Sequence, residues 1–159
     1  MLDVAYFADL ITVVLKDSLF PDLDRAVPLL LGTAAQESGL QHTRQLGGGP
    51  ALGYFQMEPT TARDHATWFH GHTVMQAHCV TRTGVARFTM EALEHNVLYG
   101  IMLARLHYYV RSAARLPAPT DLIGQGTLWK RVYNTPGGAG TPAQYAAAYE
   151  RLIAPRWQA

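Results

Sequence analysis

Glu37 closes an apolar run, Leu29-Leu30-Leu31-Gly32-Thr33-Ala34-Ala35-Gln36, and is followed at once by Ser38-Gly39. That placement predicts a carboxyl group at the C-terminal end of a helix, beside a glycine-containing loop. Partial burial there penalises the charged form, and the negative end of the helix dipole pushes the pKa the same way. A carboxyl group that stays protonated near neutrality can donate to a poor leaving group, as cleavage of a glycosidic bond requires. The bland alternative is a last-turn Glu facing water, the commonest fate of such residues. A second cluster, His65, His70, His72, His78 and Cys79, has the side-chain types of a zinc site. Its spacing matches no strong ligand pattern and no second cysteine is present, so the cluster reads as surface histidines and no metal is expected.

The elements that must position these residues follow from periodicity and caps. Val4, Phe7, Leu10, Ile11 and Val14 recur at helical spacing and predict a helix over residues 2–16, closed by the Pro21 region. A second helix is predicted over 24–36 with Pro28 in its first turn, since proline is tolerated there and not further in. Residues 39–57 lose helical period and fill with Gly, Pro, Thr and Tyr, which predicts irregular structure with at most a short hairpin. Pro59-Thr60-Thr61-Ala62 starts a helix running to Phe69, and the following histidine-rich run is ambiguous. Leu93, Val97 and Ile101, flanked by Leu98, Met102 and Leu106, predict one long central helix over 89–113. A short helix over 129–133 and a last one over 142–153, with Thr141 as N-cap, complete about six helices. The expected class is all-α.

Composition narrows the function. The chain is long enough for one domain, spanning 1–159, and its formal net charge of +1 gives no reason to expect nucleic-acid binding. Hydrophobic residues make up 48% and charged residues 16%, outside the range of disordered chains. The apolar stretch near Leu10 is broken by Lys16, Asp17 and Pro21, so no transmembrane segment is expected. Asp3 and Asp9 precede the first basic residue, unlike a secretory leader, and the lone Cys79 gives no sign of an oxidising compartment. Synthesis in a cytoplasm without a signal peptide is the expectation.

Glu37-Ser38-Gly39, then Ala51-Leu52-Gly53-Tyr54-Phe55-Gln56-Met57-Glu58-Pro59, then Asn96-Val97-Leu98-Tyr99-Gly100, then Tyr133-Asn134 resemble, in order, the motifs of the lysozyme-like lytic transglycosylases and the related goose-type lysozymes. Each motif alone is a weak match; together they span most of the chain. The resemblance implies a lysozyme-like all-α fold that cleaves the β-1,4 bond between N-acetylmuramic acid and N-acetylglucosamine in peptidoglycan, without a cofactor. It implies that Glu37 is the general acid and then the base. Ser38 would hydrogen-bond substrate or hold the helix end, and Gln56 would recognise a sugar N-acetyl group or tie its loop to the backbone. Tyr133 would pack on a sugar and Asn134 would fix the loop, with one of Tyr54 and Phe55 in the core and the other, Tyr54, a candidate sugar platform. The family's Gly after Tyr-Asn is displaced here by Thr135-Pro136, which stiffens that loop.

Glu58 replaces an apolar residue usual in transglycosylases and falls where goose-type lysozymes look to carry an acid. With Glu37 alone, the muramoyl 6-hydroxyl closes a 1,6-anhydro ring and no water attacks. With a second carboxylate roughly 6.5–9.5 Å away, water is activated and the enzyme is an inverting hydrolase. The bland reading of Glu58 is a solvated acid stabilised at the start of the next helix. A third reading is a non-catalytic glycan-binding or virion structural module, against which the Glu37-Ser38 pair argues. Cytoplasmic synthesis with a wall substrate suits a bacteriophage lysin, released by a holin or carried in the virion, with virion or tail proteins as further partners.

Overall fold

The computed structural model describes residues 1–134 and 137–158. Helix α1 (Val4–Leu15) begins where the Asp3 carboxylate accepts from the Tyr6 amide at 2.8 Å, and it buries Val4, Phe7, Ile11 and Val14. Helix α2 (Leu23–Ser38) carries Pro28 in its second turn, not its first as the sequence suggested. The helix continues because Ala26 to Ala35 are buried in an unbroken run, and packing outweighs the lost backbone bond. The carbonyl left without its partner belongs to Asp24, an exposed residue where water can serve it.

Helices α3 (Pro59–His70) and α4 (Thr73–Thr83) form an adjacent pair, the second lying in the histidine-rich run. The expected long central helix is two, α5 (Met90–His95) and α6 (Val97–Arg111). Asn96 separates them: its Oδ1 accepts from the Tyr99 amide at 2.9 Å and its Nδ2 donates to the Thr83 carbonyl at 2.9 Å. An asparagine side chain that competes for backbone groups breaks a helix while the apolar pattern runs on across the joint. Helix α7 (Leu122–Trp129), capped by Asp121, continues as a π-helical turn, Lys130–Asn134, so the short helix expected over 129–133 is the widened end of a longer element. Helix α8 (Pro142–Leu152) starts in a capping box of Thr141 and Gln144. Among the described residues there are eight α-helices and the π turn, and no strand beyond the isolated antiparallel bridges Arg44↔Leu52 and Leu52↔Met57.

The core is built on α6, where Ile101, Met102, Leu103, Ala104 and Leu106 are fully buried. Helix α2 lies between α1 and α8. It approaches α8 closely because Gly32 leaves room for the Tyr145 ring, whose hydroxyl donates to the Leu29 carbonyl at 2.9 Å. Helix α2 is tied to α6 by a 2.8 Å bond between the Thr33 and Tyr108 hydroxyls. These contacts hold rigid the helix whose last turn carries Glu37. No helix among the described residues is long and apolar enough to cross a membrane.

Candidate functional site

Helix α2 ends at Gly39, which takes the left-handed conformation (φ 59°) and donates its amide to the Ala35 carbonyl at 3.1 Å. Glu37 therefore sits inside the last turn, where its side chain opens onto a cleft of about 900 Å³. Ser38, Gln56, Glu58, Tyr133 and Asn134 line the same cleft, so residues from three separate segments meet there. Burial raises the Glu37 carboxyl from the ordinary 4.5 to about 7. A 2.8 Å hydrogen bond from the Trp129 indole Nε1 to Glu37 Oε1 opposes that rise by favouring the carboxylate. A carboxyl group raised this far can both give and take a proton around neutral pH.

The other expected residues divide by what their polar atoms already do. Ser38 is buried, donates to the Ala34 carbonyl at 3.0 Å and accepts from the Leu40 amide at 3.3 Å, so its hydroxyl secures the helix end. Gln56 adopts a left-handed conformation (φ 46°), and its Nε2 donates to the Gly53 carbonyl at 2.8 Å. That bond braces a strained turn. Its Oε1 takes no bond from the described residues and remains free to accept from a ligand. Tyr133, in the π turn, donates its hydroxyl to the Phe55 carbonyl at 2.9 Å, linking one side of the cleft to the other. Asn134 Oδ1 accepts from Lys130 Nζ at 2.8 Å, fixing the end of that turn. The departure at Thr135-Pro136 lies outside the described residues.

Tyr54 corrects the sequence reading. Its ring packs against Phe7, centroids 6.2 Å apart, and it lines a separate small recess beside Leu93 and not the Glu37 cleft. Both Tyr54 and Phe55 reach the Phe7 ring. Neither serves as a platform in the cleft.

Glu58 occupies the extended residue before α3, is exposed, and makes no side-chain capping bond. The histidine-rich run is dispersed. His72 stacks on Trp68, His78 bonds the Val14 carbonyl, and Cys79 is buried beside Thr83. His65 instead pairs with His107 across 2.8 Å. The bond from His107 Nε2 to the Val132 carbonyl puts the proton on that nitrogen, so His107 Nδ1 accepts from His65 Nε2. Burial holds both imidazoles below their usual range, and the pair stays neutral. Among the described residues no group of three or more His, Cys, Asp or Glu side chains is placed to hold a metal ion.

Sequence reasoning missed Trp129, His107 and Arg111. Trp129 is 1% exposed at the α7–π junction, and a buried indole demands an acceptor; nothing in the local sequence says that the acceptor is Glu37. His107 and Arg111 lie one turn apart at the end of α6 and line the cleft. Arg151 adds positive charge there, while the charge of Arg44 is offset by a bidentate pair with Glu94 at 2.6 and 2.8 Å. The arrangement offers one proton donor of raised pKa, the Tyr133 side chain in the same cleft and a cationic rim. No protein-family model, curated protein or solved structure matches the chain.

Proposed function

We propose that this protein is a peptidoglycan-cleaving muramidase of lytic transglycosylase type, with a lysozyme-like arrangement of helices and Glu37 as its single acid and base. The observation that carries this reading is the carboxyl group of Glu37, raised to about 7 in a cleft that also takes in Gln56, Glu58, His107 and Tyr133. In the first step Glu37 gives its proton to the oxygen linking N-acetylmuramic acid to N-acetylglucosamine. The bond from the muramoyl C1 to that oxygen breaks, and the N-acetyl group supports the electron-poor C1. The carboxylate then takes the proton from the muramoyl 6-hydroxyl as O6 bonds to C1. Glu37 is restored, and the products are a 1,6-anhydromuramoyl end and a free N-acetylglucosamine end. The cationic rim of Arg111 and Arg151 suits a polymer that carries carboxylates.

Glu58 supports a second reading, since it lines the same cleft and could activate water in an inverting hydrolysis. Its exposure and its place at a helix start favour a solvated acid, which leaves transglycosylation ahead. A bacteriophage origin, with holin release or carriage on virion or tail proteins, accords with a wall substrate. Mass spectrometry of the fragments released from purified peptidoglycan tests the assignment. Anhydromuramoyl ends absent with Glu37→Gln are the expected result; reducing muramic ends point to hydrolysis, and no soluble product from folded protein points to a binding module.

A further inference from the structure

The geometry points to Trp129 as the positioning residue that fixes Glu37 Oε1 as a permanent hydrogen-bond acceptor and so assigns the acid proton to Oε2. This rests on the reading of Glu37 as the acid. An indole nitrogen carries a hydrogen and no available lone pair, so it donates whatever the state of its partner. The 2.8 Å bond from Nε1 therefore favours the proton on Oε2, because the carbonyl oxygen of a carboxylic acid is a much better acceptor than its hydroxyl oxygen.

The donor cannot turn away. Trp129 is 1% exposed, its ring lies 5.8 Å from that of Tyr145, and the backbone at Gly140 closes against its outer edge. It is also the last residue of α7, where the chain widens into the π turn that carries Tyr133. One short segment thus aims the acid and carries Tyr133 in the same cleft.

When Glu37 ionises, the same bond becomes charge-assisted and strengthens. Trp129 then acts on the base half of the cycle more than on the acid half. Removing the donor leaves burial unopposed, so the carboxyl moves further above its ordinary value.

The test follows the three tryptophan indole signals by 15N–1H NMR as a function of pH, alongside the Glu37 carboxyl carbon. Loss of one signal in Trp129→Phe assigns the resonance. The expected result is a Trp129 indole proton that shifts downfield with the same midpoint as Glu37, near 7, and that stops titrating in Glu37→Gln. A Trp129 signal that stays flat while Glu37 titrates overturns the proposal. In Trp129→Phe the alkaline limb of the pH–rate profile moves up by about one unit, a tenfold change in proton affinity, whereas a purely structural loss lowers the rate and leaves the limb in place. Should that variant fail to fold, the titration of the unaltered protein still decides. A protein that cleaves no glycan removes the function proposed above, and the indole titration upholds or overturns the linkage by itself.

Discussion

The cleft has two unlike walls, each bearing one glutamate. The Glu37 wall is made of helix ends locked by packing: α2 is held by Tyr145 and Tyr108, and its carboxyl group meets a buried indole. The Glu58 wall is the irregular segment 39–57 and the start of α3, held by two isolated bridges and short bonds such as Gly53 N–H to Thr43 O at 2.8 Å. The same residue type is desolvated on one wall and bathed in water on the other. Environment, not identity, is what raises the Glu37 carboxyl to about 7.

The largest test of that contrast removes the Glu37 carboxyl. Glu37→Gln keeps the shape and the acceptor for Trp129, and is expected to cut glycan cleavage by about 10²–10⁴-fold, the span of a general acid or base. Initial rates of wall clearing measure it. The same substitution reports on stability. Because the folded carboxyl has its pKa raised from 4.5 to about 7, its favourable contribution is complete below 4.5 and lost as pH rises through 7. The unaltered protein should therefore lose about 3 kcal/mol relative to Glu37→Gln between pH 4 and 8. Denaturant melts at the two pH values measure the difference, and an inactive variant that is the more stable at pH 8 is the expected outcome. The neutral His65–His107 pair works with the opposite sign, weakening the fold as pH falls below the imidazole range, and it cancels in the comparison because both proteins carry it.

Tyr133 joins the walls, and Tyr133→Phe sharpens the contrast by cutting the bond from its hydroxyl to the Phe55 carbonyl. The ring remains packed on His107 and Tyr108, so the loss is limited to about 1 kcal/mol of stability, read by denaturant melts. Cleavage should fall with it as the segment before Gln56 loses its tether. Unchanged stability and rate would mean that the walls keep their spacing without this bond.

How much of this was legible in the sequence follows the same division. Elements with local caps were readable: α1 behind Asp3, α3 behind Pro59 and α8 behind Thr141-Pro142 begin within a residue or two of their expected starts. Glu37 was readable as a helix-end carboxyl group because Gly39 marks the stop. The Asn96 break was not, since the apolar repeat runs across it and the decisive partner is the distant Thr83 carbonyl. The Trp129–Glu37 and Tyr133–Phe55 bonds join residues 92 and 78 positions apart. No local period encodes such pairs. The place of Tyr54 was not legible because a turn with Gly53 at φ 72° and Gln56 at φ 46° has no regular period to assign its side chains.

The smallest effect belongs to Glu58, and it is the one that most sharply separates the two readings of the reaction. A solvated acid before a helix start interacts with the dipole and with the cationic rim only through water, which screens it to at most about 1 kcal/mol. If Glu37 acts alone, Glu58→Gln keeps the rate within about fivefold and leaves the anhydromuramoyl product unchanged. An inverting hydrolase needs its second carboxylate to deprotonate the attacking water, so the same variant would then lose activity as severely as Glu37→Gln. The product identifies the nucleophile, and the rate identifies the base. A small rate change with anhydromuramoyl ends places the whole proton cycle on Glu37, whose buried surroundings raise its carboxyl to about 7.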